Sequence, residues 1–211
     1  MDKLDAIGEQ IRKHLEEKNA ARDGALKHSR TLIRHCSMAI RAVHRNDRKV
    51  AEEHIQSANE LVKTLQQDLS AYPDLYHAGY TRDAFKEYAE ACITFALVCG
   101  EPLPDPDALG VEYVAYLGGL AETVGELRRR SLDLLRHDEI EEAERLLSIM
   151  DDIYGLLVTI DFPDAITGNL RRLNDMVRGV TERTRGDLTT SFQRRELRSA
   201  MLAVEKKLNR S

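Results

Sequence analysis

The stretch LKHSRTLIRHCSMAIRAVHRNDR, residues 26–48, separates into two faces when successive side chains are set 100° apart. Leu26, Leu32, Ile33, Cys36, Ala39, Ile40 and Val43 share one arc, while Lys27, Arg30, Arg34, Arg41, Arg45 and Arg48 stand on another. That is the pattern of a helix with one buried side. Helical spacing recurs along the chain between its five prolines: Pro73, then Pro102, Pro104 and Pro106 in GEPLPDPDALG, and Pro163 in DFPDA. A proline in a helix interior removes a hydrogen bond, so these residues mark interruptions. Helices are predicted over residues 2–45, 47–71, 74–99, 111–136, 138–160 and 164–208, with a further turn near 105–109. Asn46-Asp47 and His137-Asp138 read as tight corners, each supplying an Asp to N-cap the next helix. No stretch alternates apolar and polar residues as a half-buried strand does. The expected fold class is therefore all-α, a single elongated helical-bundle domain of about six to seven helices spanning 1–211.

Composition supports a folded chain and narrows its function. Of 211 residues, 42% are hydrophobic and 32% charged, which is enough apolar material for a core. Aromatic content is 5% with no Trp, against the stacking platforms of single-strand binders built on sheets. Cys36, Cys92 and Cys99 sit in apolar helical patterns without CxxC spacing and read as reduced core thiols. MDKLDAIGEQIRKHLEEK lacks an apolar signal region, and no apolar run approaches the roughly 20 residues a bilayer requires. The expectation is a soluble, cytoplasmic protein with no membrane partner.

The net charge of -5 gives no general support for nucleic-acid binding, so any such surface must be local. The basic arc of residues 27–48 is such a surface, about 30 Å long at 1.5 Å per residue. Residues 24–46 contain no acid at all. The arc reads either as a solvated face engaged in salt bridges or as a polyanion surface, where each phosphate contact releases counterions.

Most acidic clusters lie in polar surroundings, but two pairs do not. Glu87 and Glu90, in AFKEYAEACITFALVCG, sit at i and i+3 ahead of an uncharged run at 91–100. Glu122 and Glu126, in VEYVAYLGGLAETVGEL, sit at i and i+4 on a helix with an apolar first half. Burying like-charged carboxylates costs several kcal/mol unless something neutralises them. Lys86, Arg128, Arg129 and Arg130 are available, raised pKa values are a second route, and a hard divalent cation taking oxygen ligands is a third. Gly118-Gly119, one turn before Glu122, leaves room for another helix or a ligand. His28 and His35, seven apart, are weak metal candidates. Tyr76, His77 and Tyr80 suit either RNA contact or packing at a helix start.

These residues together resemble the translin/Trax family. Tyr116, Leu117, Gly119, Leu120, Gly125, Glu126 and Leu127 match its Tyr-Leu-x-Gly-Val and Gly-Glu-Leu segments. FKEYAEA, residues 85–91, is similar to the Glu-Tyr-Val-Glu-Ala segment of Trax rather than to translin. RTLIRHCSMAIRAVHR, residues 30–45, resembles a further family stretch, and NLRRLNDMVRGVTERTRGDL fits more loosely. The resemblance implies a metal-dependent endoribonuclease that cuts RNA inside a hollow homo-oligomeric shell, an octamer by analogy. On that analogy Glu87, Glu90, Glu122 and Glu126 are both the catalytic residues and the ligands of Mg²⁺ or Mn²⁺. At the position of Glu122 the Trax pattern carries Asp, a change that keeps the charge and shifts the oxygens by one methylene. RNA, single-stranded or duplex, would lie against Lys27, Arg30, Arg34, Arg41 and Arg45, with Arg129 beside the acids. The alternative within the family is a non-catalytic single-stranded RNA or DNA binder of the translin kind.

Overall fold

A computed structural model describes residues 2–209, and every regular element among them is helical. In chain order these are α1 (Asp2–His44), α2 (Arg48–Asp68), α3 (Pro73–Tyr76), α4 (Gly79–Cys99), α5 (Pro106–Leu109), α6 (Tyr113–Arg136), α7 (Ile140–Val158), α8 (Asp164–Thr167) and α9 (Leu170–Leu208). Six are long, and α3, α5 and α8 are single turns.

Two predicted helices are interrupted. The 74–99 segment breaks at His77-Ala78, where Ala78 is extended (φ -64°, ψ 149°). Buried Thr81 donates its hydroxyl to the Leu75 carbonyl at 2.9 Å, so the break leaves that acceptor satisfied without a continuous helix. The 164–208 segment breaks at Gly168 and Asn169, at φ 61° and 70°. Consecutive left-handed residues cannot belong to a right-handed helix, and Gly and Asn adopt that conformation at least cost. Of the two predicted corners, Asn46-Asp47 behaves as expected: Asn46 is left-handed and the Asp47 carboxylate accepts from Val50 N at 3.3 Å. At the other, Asp138 is itself the left-handed residue (φ 65°) and does not cap α7. Pro73 and Pro106 occupy the first turns of α3 and α5, where a missing N–H costs nothing.

The chain divides into two compact units at Gly119/Leu120, a boundary inside α6 rather than in a linker. In the first, α1 and α2 form an antiparallel hairpin joined by a three-residue corner, and α4 packs on both. Its core is built from Leu32, Cys36, Ala39 and Val43 of α1, Val62 and Leu65 of α2, and Phe85, Tyr88 and Ile93 of α4. The α1–α2 seam also carries His28, 3.7 Å from Asp68, and His35, whose Nδ1 lies 3.1 Å from that of His54. Those histidines are thereby placed in helix packing. In the second unit α7 packs on α9, with Leu146, Met150, Leu157, Val177 and Leu188 buried.

Two helical stretches keep apolar side chains in solvent. Leu4, Ile7, Ile11 and Leu15 line one face of α1, and Phe192, Leu197, Met201, Leu202, Val204 and Leu208 project from the end of α9. No helix among the described residues is long and apolar enough to cross a membrane. Cys36 and Cys92 are buried, whereas Cys99 is only partly so, and all three are free thiols.

Candidate metal centre and nucleic-acid interface

Helix α4 is apolar nearly all round, with Ala84, Phe85, Tyr88, Ala89, Ala91, Cys92, Ile93 and Ala96 buried. Glu90 lies in the middle of this run and is only 8% exposed. Glu87, one turn earlier, is 28% exposed at its side chain and has Lys86 Nζ 3.4 Å away. The two carboxylates share one helix face, as their i, i+3 spacing requires.

Gly119 fixes the approach of α6 to this part of α4. A Cβ there would stand 2.7 Å from Glu90 N, 2.8 Å from Lys86 O and 2.8 Å from Ala89 Cβ. Two of these are backbone atoms that cannot swing aside, so the glycine is what permits such close contact. At Gly118 a Cβ would meet only Lys86 side-chain carbons, at 3.0 and 3.2 Å. Glu122 follows one turn after Gly119 on the same continuous helix. Glu87, Glu90 and Glu122 each offer a carboxylate oxygen, and these oxygens all lie within 4.8 Å of one another.

The donor set suits a hard cation. It contains oxygen ligands only, and trans oxygens on a cation of Mg²⁺ size sit roughly 4.2 Å apart. The negative character of the region reaches α1: the Cys36 thiol is pushed well above its ordinary pKa by burial first, then by Cys92, Glu87 and Glu90. Burial likewise pushes the Cys92 thiol up to about 12.

Glu126, the fourth expected acid, is not a member of this close group. It sits a turn further along α6, with Arg129 at 3.6 Å on the i+3 side. Arg128, available on sequence grounds to neutralise the acids, is committed elsewhere: it salt-bridges Asp187 at 2.8 Å and donates to Thr184 Oγ1 at 3.0 Å.

The basic arc is real along α1. Lys27, Arg30, Arg34 and Arg41 are exposed on that helix, and Arg45 is exposed in the corner just beyond it. None of these five forms a salt bridge among the described residues, in a chain with 36 acids. Arg48 departs from the arc, because it begins α2 rather than ending α1. It pairs with Glu52 at 2.8 Å and Glu101 at 2.6 Å and lies over the Phe95 ring. Of the aromatic candidates, Tyr76 lies against Phe85 with ring centroids 5.6 Å apart and tilted by 54°, and His77 pairs with Glu112 at 2.9 Å.

Comparison with known proteins agrees with the helical fold. No family model matches the chain. An uncharacterized protein of Methanocaldococcus jannaschii is 32% identical over 194 residues, covering 91% of this chain and 86% of the relative. The structure of AfC3PO in complex with duplex RNA superposes with a TM-score of 0.83 at 34% identity, covering 89% of this chain and 97% of that one. A second AfC3PO crystal structure gives 0.82 at 35% identity, with 89% and 97% covered. Apo-NeC3PO, at 24% identity and a TM-score of 0.78, covers 90% of this chain and 98% of its own and shares the fold.

Proposed function

Because the chain belongs to the translin/Trax family, we propose that it is an endoribonuclease whose acids on α4 and α6 hold a divalent metal ion beside bound RNA. The observation that carries this reading is the convergence of Glu87, Glu90 and Glu122, one of them nearly buried in an apolar helix. Three carboxylates at that spacing repel one another, and a hard dication such as Mg²⁺ or Mn²⁺, which takes oxygen ligands, would draw them together as a common ligand set. When bound, the cation polarises a phosphodiester oxygen and lowers the pKa of a coordinated water.

The protein's own residues do the rest. Glu90, locked by the α4 core, sets the position of the centre. Glu87 and Glu122, both partly exposed, are the ligands that a phosphate would meet. In this reading Glu126, one turn after Glu122 on α6, is the further ligand, and Arg129, 3.6 Å from it, is the cation for the substrate backbone. Lys27, Arg30, Arg34, Arg41 and Arg45 are unneutralised and therefore available to phosphates. Duplex RNA is the substrate class supported by the AfC3PO complex.

Assembly into a hollow homo-oligomer, an octamer, belongs to the same proposal. The apolar face of Leu4, Ile7, Ile11 and Leu15 and the apolar end of α9 are the surfaces a subunit contact would cover. Light scattering should then give about eight times the 23.9 kDa chain mass.

One observation favours the non-catalytic alternative: Glu126 stands outside the close group. Incubation of purified protein with labelled RNA separates the two readings. Cleavage with Mg²⁺ that stops in EDTA supports the nuclease, whereas retention of intact RNA under both conditions supports a binder.

A further inference from the structure

Helix α9 carries eight arginines, and they sort by face. Arg171 pairs with Asp161 at 3.2 Å, Arg178 with Asp175 at 3.2 Å, Arg185 with Asp151 at 2.7 Å, and Arg195 with Glu141 at 2.9 Å. Arg172, Arg183, Arg194 and Arg198 are exposed and make no ion pair among the described residues. The first three recur every eleven residues. Eleven residues are almost three full turns, so at 100° per residue Arg172, Arg183 and Arg194 stay within about 40° of one line, with Arg198 one turn on. The line is about 33 Å long from Arg172 to Arg194.

The same face is kept low and free of competing acid. Gly179 and Gly186 fall on it, and around Gly186 no neighbouring atom stands within 4 Å of where a Cβ would be. Asp187, the nearest acid on that side, is neutralised by Arg128 at 2.8 Å. In a chain of net charge -5, arginines left over after ion pairing would ordinarily find partners. On α9 the four that lack them are collected along one helix face.

We infer that this face of α9, up to where its apolar end begins, is a second RNA-backbone surface in which Arg172, Arg183 and Arg194 contact phosphates. It rests on the RNA reading above and adds to the α1 arc a surface in the other compact unit. Recognition is of phosphate, which carries no sequence information, so binding through this face should be independent of base sequence. Arginine suits the role through bidentate pairing with phosphate oxygens.

The test is the salt dependence of duplex RNA binding in EDTA, for wild type and two triple variants. One is Arg172→Gln/Arg183→Gln/Arg194→Gln; the other, Arg171→Gln/Arg178→Gln/Arg185→Gln, removes the same charge from the ion-paired set. Circular dichroism checks that both remain folded. The stripe variant should lower the slope of log K against log salt by roughly 2.7 and bind on the order of 10²-fold more weakly at 0.1 M salt. The paired-set variant should keep the wild-type slope. If the stripe variant keeps that slope, or both variants lose it equally, the inference is overturned while the RNA reading stands. If the wild type itself binds no RNA, the RNA reading fails and this surface with it.

Discussion

Gly119→Ala should destabilise the protein although alanine is the better helix former. Mid-helix, the substitution gains about 1 kcal/mol from propensity. The new methyl would meet Glu90 N at 2.7 Å, Lys86 O at 2.8 Å and Ala89 Cβ at 2.8 Å, each inside van der Waals contact. Relief requires α4 and this turn of α6 to part by about 0.6 Å, and overpacking of that kind costs about 1–3 kcal/mol. The expected net loss is up to about 2 kcal/mol, seen as a lower urea midpoint at unchanged m. Gly125→Ala is the matched comparison: Gly125 is an exposed glycine on the same helix with no atom within 4 Å of a built Cβ, so it should gain up to about 1 kcal/mol. The propensity gain is common to both, so the two variants should differ by the overpacking cost, about 1–3 kcal/mol. Because the clash falls on the Glu90 backbone, Gly119→Ala should also reduce metal-dependent RNA cleavage more than its stability loss accounts for. A Gly119→Ala protein as stable as Gly125→Ala would refute the close-approach argument.

Other outcomes follow from burial and charge. Ellman's reagent should titrate one thiol in the native protein, Cys99, and three after denaturation, since burial pushes the Cys36 and Cys92 pKa values up; rapid native reaction of all three would contradict the packing. Burial, then His54 and Arg34, holds the His35 pKa below its ordinary 6.5, so near and below that value the unfolded chain binds a proton that the folded chain does not. Stability from this group is complete above about 6.5 and falls as the pH drops through that value toward the folded pKa. Urea midpoints of the wild type should accordingly decline on acidification from pH 7.5 to 5.5 more steeply than those of His35→Gln; parallel declines would count against it.

What could be read from sequence was whatever depends on period and on the chemistry of single residues. The two faces of residues 26–48, the proline punctuation and the glutamate pairs in apolar runs all have local causes, and the long helices and the Glu87–Glu90 placement follow from them. The breaks at His77-Ala78 and Gly168-Asn169 were not legible, because helical spacing carries across a single bad turn without a visible phase change. Arg48 shares the angular position of the basic arc, but it lies beyond the Asn46-Asp47 corner and so belongs to α2, where only the tertiary fold brings it within reach of Glu101. The α9 stripe was hidden for a related reason. Its four arginines are interleaved with four others, and only tertiary ion pairs to Asp151, Asp161 and Glu141, with the local Asp175 pair, separate one set from the other.

The most direct test of the metal-nuclease account is the rate of RNA cleavage by wild type and Glu90→Gln, each in Mg²⁺ and in EDTA, with RNA binding measured in parallel. Gln preserves the packing of α4 and removes one ligand charge. The account predicts wild-type cleavage that EDTA abolishes, and a Glu90→Gln protein that binds RNA normally but cuts it at least about 10²-fold more slowly. Cleavage by Glu90→Gln at the wild-type rate, or wild-type cleavage that persists in EDTA, would contradict it.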